Sequence, residues 1–305
     1  MTLRHPAEPG AIIAPGSAHA RSPWARFSTA VASPASERRW LLWPPLAFFA
    51  IMLGVPVIAL VVTALTSDAG DGNAFAGIFQ LNVFMNALAR TFLLAAVVTV
   101  VTVLFGLVYS VGMAVGPAWL RMVLLAWLFL SLWTSVMVRS FGWMLIELPL
   151  GALHWFLSLI GLSAVKVDLY QTAIGMYPAM IAVMLPFAVL PVVAAIDSLD
   201  REQLSAAVVY GAGPVLTART VILPALRPAL ISGGVLVFVM SLGFYVTPLL
   251  LGGPSNMTIS GVINTQLNTA NRPDLAAAMS LVLVAATMVI YLIADRLFKV
   301  SERWG

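Results

Sequence analysis

The sequence predicts an all-α, polytopic membrane protein with six transmembrane helices. Of its 305 residues, 61% are hydrophobic and only 9% are charged, whereas soluble domains carry about 25% charged residues. Six apolar segments are each long enough to cross a bilayer, for which a helix needs about 20 residues. Cysteine is absent, which excludes disulfides, thiolate metal sites and cysteine nucleophiles.

The two ends of the chain are predicted to be tails outside the membrane. Residues 1–40 are rich in Ala, Pro, Ser and Arg and show no apolar stripe of helical period. Because prolines interrupt this segment, we expect a disordered cytoplasmic tail. A transit peptide is the alternative, since such peptides are also rich in Arg and Ser and poor in acid. Residues 299–305 are expected to form a short cytoplasmic C-terminal tail.

The six spans fall within a predicted transmembrane domain at residues 41–298. The first is expected to be an uncleaved helix, because the apolar core of a signal peptide is usually only about 7–15 residues long. The second carries Gly106, Ser110 and Gly112, small residues that permit close helix contact. In order, the predicted spans are residues 41–65, 91–115, 120–146, 171–196, 229–251 and 275–298.

The connections between the spans differ in composition. Residues 67–90 are expected to be a polar loop with one short helix near residues 75–79. The apolar residues 153–162 are too few to cross a bilayer, so we expect them at the membrane interface, where Trp155 is favoured. Residues 252–274 are polar and rich in Gly and Asn.

Prolines and glycines are expected to interrupt the fourth and fifth spans. Pro178, Pro186 and Pro191 would break the fourth helix, and residues 243–248, which include Tyr245, would interrupt the fifth. Such breaks are tolerated where neighbouring helices or a water-lined cavity satisfy the freed carbonyls. A solute pathway beside the fourth span, lined in part by Pro186, is one interpretation. Plain helix packing is the other.

Residues 197–228 form the longest charged stretch inside the hydrophobic part of the chain. Asp200 followed by Gln203 resembles a capping box that opens a helix. Gly211 loosens that helix, and Pro214 suits the first turn of a second one. The stretch is therefore either a folded element that docks a partner or a polar connection between two spans.

The end of this stretch is predicted to be separated from the fifth span. Pro224 follows Leu223, and Pro228 comes one turn later. Proline lacks an amide donor and clashes with the preceding turn of a helix. We therefore expect no straight helical run from residues 197–228 into the span.

The basic residues place both termini and residues 197–228 in the cytoplasm. Six spans put the termini on one side of the membrane, and twelve of the sixteen Lys and Arg residues fall on that side. Cytoplasmic loops of membrane proteins carry such an excess. The distribution accounts for the net charge of +4 without a nucleic-acid partner.

One face of the third predicted span is a candidate lining for a solute pathway. Arg139, Trp143 and Glu147 recur there at four-residue steps, and ionisable residues within a membrane often mark pathways. Trp133 and Tyr245 are further aromatic candidates, since aromatic faces and Glu147 would suit a cationic polyamine. Arg139 would instead oppose a cation and suit a carboxylate. Its alternative role is an orientation anchor that reaches the interface.

No catalytic or metal-binding set occurs in the sequence. His154 is the one histidine outside the N-terminal tail, so neither a Ser-His-Asp arrangement nor a histidine metal cluster can form. No P-loop motif is present. If ATP powers this protein, another subunit must hydrolyse it.

Residues 205–228 resemble the EAA loop, the cytoplasmic loop of permease subunits of bacterial ABC importers. The pattern stands here as Ser205-Ala206-Ala207, Gly211-Ala212, Leu223-Pro224 and Pro228. Ser205 replaces the glutamate of the family, and Ala218 stands where an aromatic residue is common. The resemblance implies that an ATPase is contacted by Ser205, Ala206, Ala207, Gly211, Ala212, Leu223, Pro224 and Pro228.

The resemblance extends over residues 41–298. Residues 133–143, 171–176 and 243–248 are similar to the spermidine/putrescine branch, which implies import of a polyamine or a similar small organic solute. It also implies a type I importer fold in the bacterial inner membrane, in contact with lipid. The implied partners are a second permease subunit in a heterodimer, two cytoplasmic ATPase subunits and a periplasmic solute-binding protein. ATP and Mg²⁺ would be bound by the ATPases, and no cofactor by this chain.

Two other functions are open to a chain of this composition. An ion-coupled secondary transporter would work without an ATPase, but such proteins need intramembrane carboxylates. The predicted spans are nearly free of acid, with Glu147 at a margin. A membrane-embedded enzyme would need a cluster of His, Cys or acidic residues, which the sequence lacks.

Overall fold

A computed structural model of the chain describes residues 43–66, 74–161 and 168–298. The predicted tails, residues 1–40 and 299–305, lie outside these ranges. All regular elements of the described residues are helical, which confirms the all-α prediction. Within this part, five helices are long and apolar enough to cross a membrane, and a bent pair makes a sixth if it is counted as one span.

The helices are labelled in chain order. They are α1 (Trp43–Leu65), α2 (Ala74–Gln80), α3 (Asn82–Val115), α4 (Ala118–Trp133), α5 (Val136–Glu147), α6 (Ala152–Leu159), α7 (Met176–Asp197), α8 (Arg201–Val209), α9 (Pro214–Thr217), α10 (Leu223–Leu242), α11 (Val246–Gly252), α12 (Ile259–Asn268) and α13 (Pro273–Phe298), with a π-helical turn at Ala218–Ile222 and a 3₁₀ turn at Pro254–Asn256.

The chain divides into two compact units, Met1–Val57 and Ile58–Gly305. In the first unit the described residues are the first part of α1, an apolar helix with exposed large side chains such as Phe48, Phe49 and Leu53. The second unit contains the end of α1 and all the other helices, and its core lies where α3, α7 and α10 pack together.

Small residues allow these three helices to cross closely. A Cβ at Gly106 of α3 would lie 3.1 Å from the Cβ of Ala188 on α7, and one at Gly233 of α10 would lie 3.5 Å from the Cα of Ala188. Ser110 donates a hydrogen bond to the carbonyl of Gly106 within its own helix. The predicted close contact is confirmed at Gly106, but a Cβ at Gly112 would meet nothing within 4 Å.

A second cluster in this unit joins α2, the start of α3, α12 and α13. Ile78, Phe84 and Ile259 are fully buried in it. The backbone amide of Ile259 donates a 2.8 Å hydrogen bond to Thr91 Oγ1. The short helix predicted near residues 75–79 is confirmed as α2, but the predicted loop is wrong from Asn82 onwards, where α3 begins, because tertiary burial stabilises that helix. Helix α12 forms within residues 252–274, for which no helix was predicted.

The predicted third span, residues 120–146, is not straight. Helix α4 ends at Trp133, and α5 begins at Val136 with its axis turned by 107°. Thr134 and Ser135, at the bend, have ψ angles of 133° and 140°, and Thr134 Oγ1 donates to the carbonyl of Leu130 at 2.6 Å. Side chains of this type compete with the helical hydrogen bonds of the backbone.

The fourth predicted span is less interrupted than its prolines suggest. Helix α7 continues through Pro186 and Pro191, and Pro178 lies in its first turn, where a missing amide donor costs little. Neighbouring helices bury much of α7, which stabilises it despite two lost hydrogen bonds. The fifth span, in contrast, is interrupted as predicted, because α10 ends at Leu242 and α11 starts after Tyr245.

The expected separation of residues 197–228 from the fifth span is wrong. One apolar helical segment, Val215–Leu242, runs from α9 through the π-helical turn into α10. Pro224 stands in the first turn of α10, where its amide is not required. The wider π-helical turn before it changes the hydrogen-bond register, so the chain passes Pro224 without a break.

Candidate functional site

Residues 197–228, called the 197–228 element below, fold as a short helix, a turn and a second helix. Asp200 Oδ1 accepts a 2.9 Å hydrogen bond from the amide of Glu202, which caps the start of α8. Beyond the end of α8, Gly211 adopts a φ angle of +76°. The amide of Ala212 donates to the carbonyl of Ala207 at 2.9 Å. This glycine-centred turn ends α8 and leads into α9.

All eight residues predicted to contact an ATPase lie on the continuous stretch from α8 to α10. Ser205, Ala206, Gly211, Leu223 and Pro224 are exposed, while Ala207, Ala212 and Pro228 are half-buried. The structure thus gathers these residues in one element. Their contact with a partner stays a prediction.

The 197–228 element also presents exposed apolar side chains that the sequence analysis missed. Val209 and Tyr210 are 83% and 90% exposed, and Val215 and Leu216 are 80% and 54% exposed. These four residues, called the 209–216 patch, flank the Gly211 turn. The sequence does contain a signal for this patch, because a pair of large apolar residues lies on each side of Gly211-Ala212-Gly213 in an otherwise charged stretch.

An ion pair ties the start of the 197–228 element to α4. Arg121 Nη2 donates to both carboxylate oxygens of Asp197 at 3.1 and 3.0 Å. Asp197 is the last residue of α7. Both side chains are about half exposed, so the ion pair contributes little to the free energy of folding. Its effect is to hold the two helix ends next to each other.

A cavity of about 390 Å³, called the α4–α5–α7 cavity, lies beside the bend between α4 and α5. Its walls are mostly apolar. They include Trp127 and Ser131 of α4, Thr134 of the bend, Arg139 and Trp143 of α5, and Pro186 of α7.

The structure brings together three of the six predicted pathway residues. Arg139, Trp143 and Pro186 line the α4–α5–α7 cavity. Trp133, at 88% exposed, and Tyr245, before α11, are not among its lining residues. The bend after Trp133 turns α5 away from the line of α4, which separates Trp133 from the face it was expected to share.

Hydrogen bonds position the part of α5 that carries Arg139. Ser140 and Thr247 share a buried hydrogen bond of 2.8 Å between their hydroxyl groups, which joins α5 to α11. Arg139 Nη1 donates to Ser131 Oγ at 3.0 Å across the bend. The first bond holds the helix that carries Arg139, and the second orients the guanidinium itself.

Glu147, the sixth predicted pathway residue, is buried at the end of α5. It is 1% exposed, and neither carboxylate oxygen has a hydrogen-bond partner among the described residues. A Cβ at position 175 would lie 2.7 Å from Glu147 Oε2, so Gly175 leaves the space that this carboxyl group occupies. Glu147 does not line the α4–α5–α7 cavity.

Comparison with known proteins identifies a matching family and several relatives of this chain. A family model described as a binding-protein-dependent transport system inner membrane component matches residues 103–304. The spermidine/putrescine transport system permease protein PotB of Salmonella typhimurium (strain SL1344) is 29% identical over 224 residues, which cover 72% of this chain and 78% of that protein. PotB of Haemophilus influenzae is 27% identical over 269 residues, covering 85% and 92%.

A solved structure shares the fold. One chain of a bacterial ABC transporter involved in the import of the acidic polysaccharide alginate aligns with a TM-score of 0.73 at 22% identity, over 90% of this chain and 98% of that one. This likeness supports the type I importer permease fold. With the matching family model, it leads to one conclusion, that the chain belongs to the family of inner membrane components of binding-protein-dependent transport systems.

Proposed function

We propose that this permease forms half of the solute pathway of an ATP-driven importer and transmits the closure of an ATPase to that pathway. The observation that carries the proposal is the 209–216 patch. Large apolar side chains this exposed, on a folded element at the end of two apolar helices, suit a protein partner. The continuous helix from α9 into α10 would carry a push on this patch into the membrane.

The coupling requires two discrete helix arrangements that the partner biases. The crossing of α3, α7 and α10 is tightly packed around Ala188, so these helices would move together as a block. The Arg121–Asp197 ion pair would connect the same push to α4, which forms one wall of the α4–α5–α7 cavity. Access to the cavity would then alternate with the state of the ATPase.

The family of the chain supports a set of partners. Its family model is described as an inner membrane component of a binding-protein-dependent transport system, and the matching structure belongs to an ABC transporter. We therefore expect a second permease subunit, two ATPase subunits that bind ATP and Mg²⁺, and a periplasmic binding protein. The termini and the 197–228 element would face the cytoplasm, where ATP is available, and this chain would catalyse no reaction itself.

The solute is proposed to be a small organic amine. The PotB relatives are named for spermidine and putrescine, which makes a polyamine the first candidate. The α4–α5–α7 cavity contains aromatic side chains from Trp127 and Trp143, and aromatic faces attract ammonium groups.

Co-purification and uptake test the proposed coupling. The tagged permease should recover its ATPase, and the reconstituted complex should accumulate solute when ATP is supplied. Tyr210→Ala should reduce ATPase recovery roughly thirtyfold, because an aromatic residue central to an interface often contributes about 2 kcal/mol. Val108→Ala, on an exposed position of α3, serves as the control and should leave recovery unchanged. Equal recovery with both variants would contradict docking at the patch.

Ion-coupled secondary transport is the second candidate function. The buried Glu147 carboxyl group, without a partner among the described residues, is the observation that favours it, because such transporters use intramembrane carboxylates. The two candidates differ in their energy source. Uptake by this chain alone in liposomes, driven by an ion gradient without ATP and abolished by Glu147→Gln, would establish the second and exclude the first.

A further inference from the structure

Among the described residues that line the α4–α5–α7 cavity, Arg139 is the one with a charged side chain. Aromatic and aliphatic side chains provide most of the remaining wall, and Ser131 and Thr134 add two hydroxyl groups. A volume of about 390 Å³ is within the range of roughly 300–1,000 Å³ that is usual for small-molecule sites. The size and shape of the cavity therefore suit a small organic solute.

The hydrogen-bonding capacity of Arg139 is largely unused. Nη1 donates to Ser131 Oγ at 3.0 Å, while Nε is buried and has no acceptor among the described residues. A guanidinium has five N–H donors and no acceptor. Arg139 is half-buried and lines the cavity.

No described carboxylate neutralises this charge. Two ion pairs within the described ranges join Arg121 to Asp197 and Arg272 to Asp274, and neither involves Arg139. Glu147, two turns along α5 from Arg139, is packed against Gly175 and lies outside the cavity lining. An unpaired cation beside apolar walls is unfavourable, and a bound anion would remove that penalty.

Helix α7, which forms part of the cavity wall, has a carbonyl that its own helix leaves without a donor. Pro186 has no amide hydrogen, so the carbonyl of Ala182, four residues earlier on α7, lacks its usual helical donor. Both residues line the cavity. The cavity is thus lined by a cation on α5 and by the α7 residues around this carbonyl, a set of groups that suits a solute with an anionic end and an amino end.

We propose that the α4–α5–α7 cavity is an oxyanion subsite of the solute pathway, in which Arg139 binds a carboxylate or phosphonate group of the transported solute. The solute class is then a small amine that also carries an oxyanion, which replaces the polyamine that the names of the PotB relatives suggest. Trp127 and Trp143 would contact the carbon chain of the solute. The inference rests on the proposed function, because it requires that solute pass through this chain.

Uptake of three matched amines tests the subsite. The complete complex, with its ATPase and its binding protein, is reconstituted in liposomes and supplied with labelled putrescine, 4-aminobutyrate or 3-aminopropylphosphonate. These probes have similar length and differ in the group at one end. We expect ATP-dependent uptake of at least one of the two oxyanion probes.

Three variants then locate the effect. Arg139→Gln should raise the half-saturating concentration of the transported oxyanion probe roughly ten- to hundredfold, as expected for loss of a charged hydrogen bond. Arg139→Lys, which keeps the charge but not the fork of donors, should raise it less. Arg90→Gln is the matched control, because Arg90 donates to the carbonyl of Met257 at 3.2 Å and does not line the cavity. ATPase recovery checks that each variant assembles.

Each contrary outcome has a defined meaning. Uptake of neither oxyanion probe by the wild-type complex, or an unchanged half-saturating concentration in Arg139→Gln, would overturn the subsite and leave the ATP-driven permease intact. A phospholipid that native mass spectrometry finds on the wild type but not on Arg139→Gln, with uptake unchanged, would assign the cation to a lipid phosphate. Uptake of an oxyanion probe that depends on Arg139 but needs an ion gradient and no ATP would instead overturn the proposed function alone.

Discussion

Gly211 is the residue on which the turn of the 197–228 element depends. Its φ angle of +76° is strained for side chains with a Cβ by about 1–2 kcal/mol, and more for a β-branched residue. We expect Gly211→Val to displace Tyr210 and Ala212 and to reduce both ATPase recovery and ATP-driven uptake at least tenfold. The measurement is the ratio of ATPase to permease after affinity purification, together with uptake by the same preparation.

Gly213→Val is the matched control for this prediction. Gly213 is exposed, a Cβ added to it would meet nothing within 4 Å, and its φ angle is not positive. Its replacement should change ATPase recovery less than twofold. If both valine variants lose the ATPase equally, added bulk on this surface is responsible, and the backbone explanation for Gly211 fails.

Individual site residues could be predicted where a local pattern was sufficient. The four-residue step from Arg139 to Trp143 lies within one helix and survives in the structure, where both residues line the same cavity. Glu147 continues that step but packs against Gly175 of another segment, a contact between distant residues that helical spacing does not reveal. Trp133 precedes the bend at Thr134 and Ser135, which helical spacing does not reveal.

At the scale of elements, the crossing of α3 and α7 provides a direct test of packing. We expect Gly106→Ile to destabilise the protein, since even a Cβ at this position would lie 3.1 Å from the Cβ of Ala188. Overpacking of this kind costs about 1–3 kcal/mol. The melting temperature in detergent should fall by several degrees. Gly112→Ile should change the melting temperature little, because a Cβ at Gly112 would meet nothing within 4 Å. Equal decreases in melting temperature for both variants would argue against a specific crossing at Gly106.

The attachment of α5 to α11 is expected to depend on the Ser140–Thr247 hydrogen bond. The two hydroxyl groups are buried and 2.8 Å apart. A double-mutant cycle with Ser140→Ala and Thr247→Val should give a coupling free energy of about 0.6 kcal/mol, the average for such bonds between membrane helices. Unfolding in denaturant measures it. Strictly additive effects of the two substitutions would show that the bond does not hold α5 in place.

The sequence identified the long helices better than it identified their breaks. Length and apolar composition are sufficient to indicate a span, so α7 and α13 were predicted within a few residues. The bend at Thr134 and the continuous passage past Pro224 depend on hydrogen-bond register, for which composition carries little signal. Helix α12 was missed because it is polar overall, and burial of Ile259 and Val262 against the second cluster stabilises it.

At the scale of the whole molecule, the orientation of the chain in the membrane decides which side each connecting segment faces. The 197–228 element follows α7, whereas the turn at Pro254–Asn256 follows α10 and α11. One apolar helical span, Val215–Leu242, separates the two. If the first faces the cytoplasm, the second must face the opposite side, and a solute binding protein and an ATPase would meet opposite ends of the same helix.

Single-cysteine labelling tests this orientation without background, because the chain contains no cysteine. Ser255→Cys, at an exposed position beyond α11, should react with a membrane-impermeant maleimide in intact spheroplasts. Tyr210→Cys, 90% exposed in the wild type, should react only after permeabilisation, and assembly with an ATPase should then protect it. The reverse pattern would place the 197–228 element outside the cell, where no ATPase could reach it, and ATP-driven coupling through this surface would be excluded.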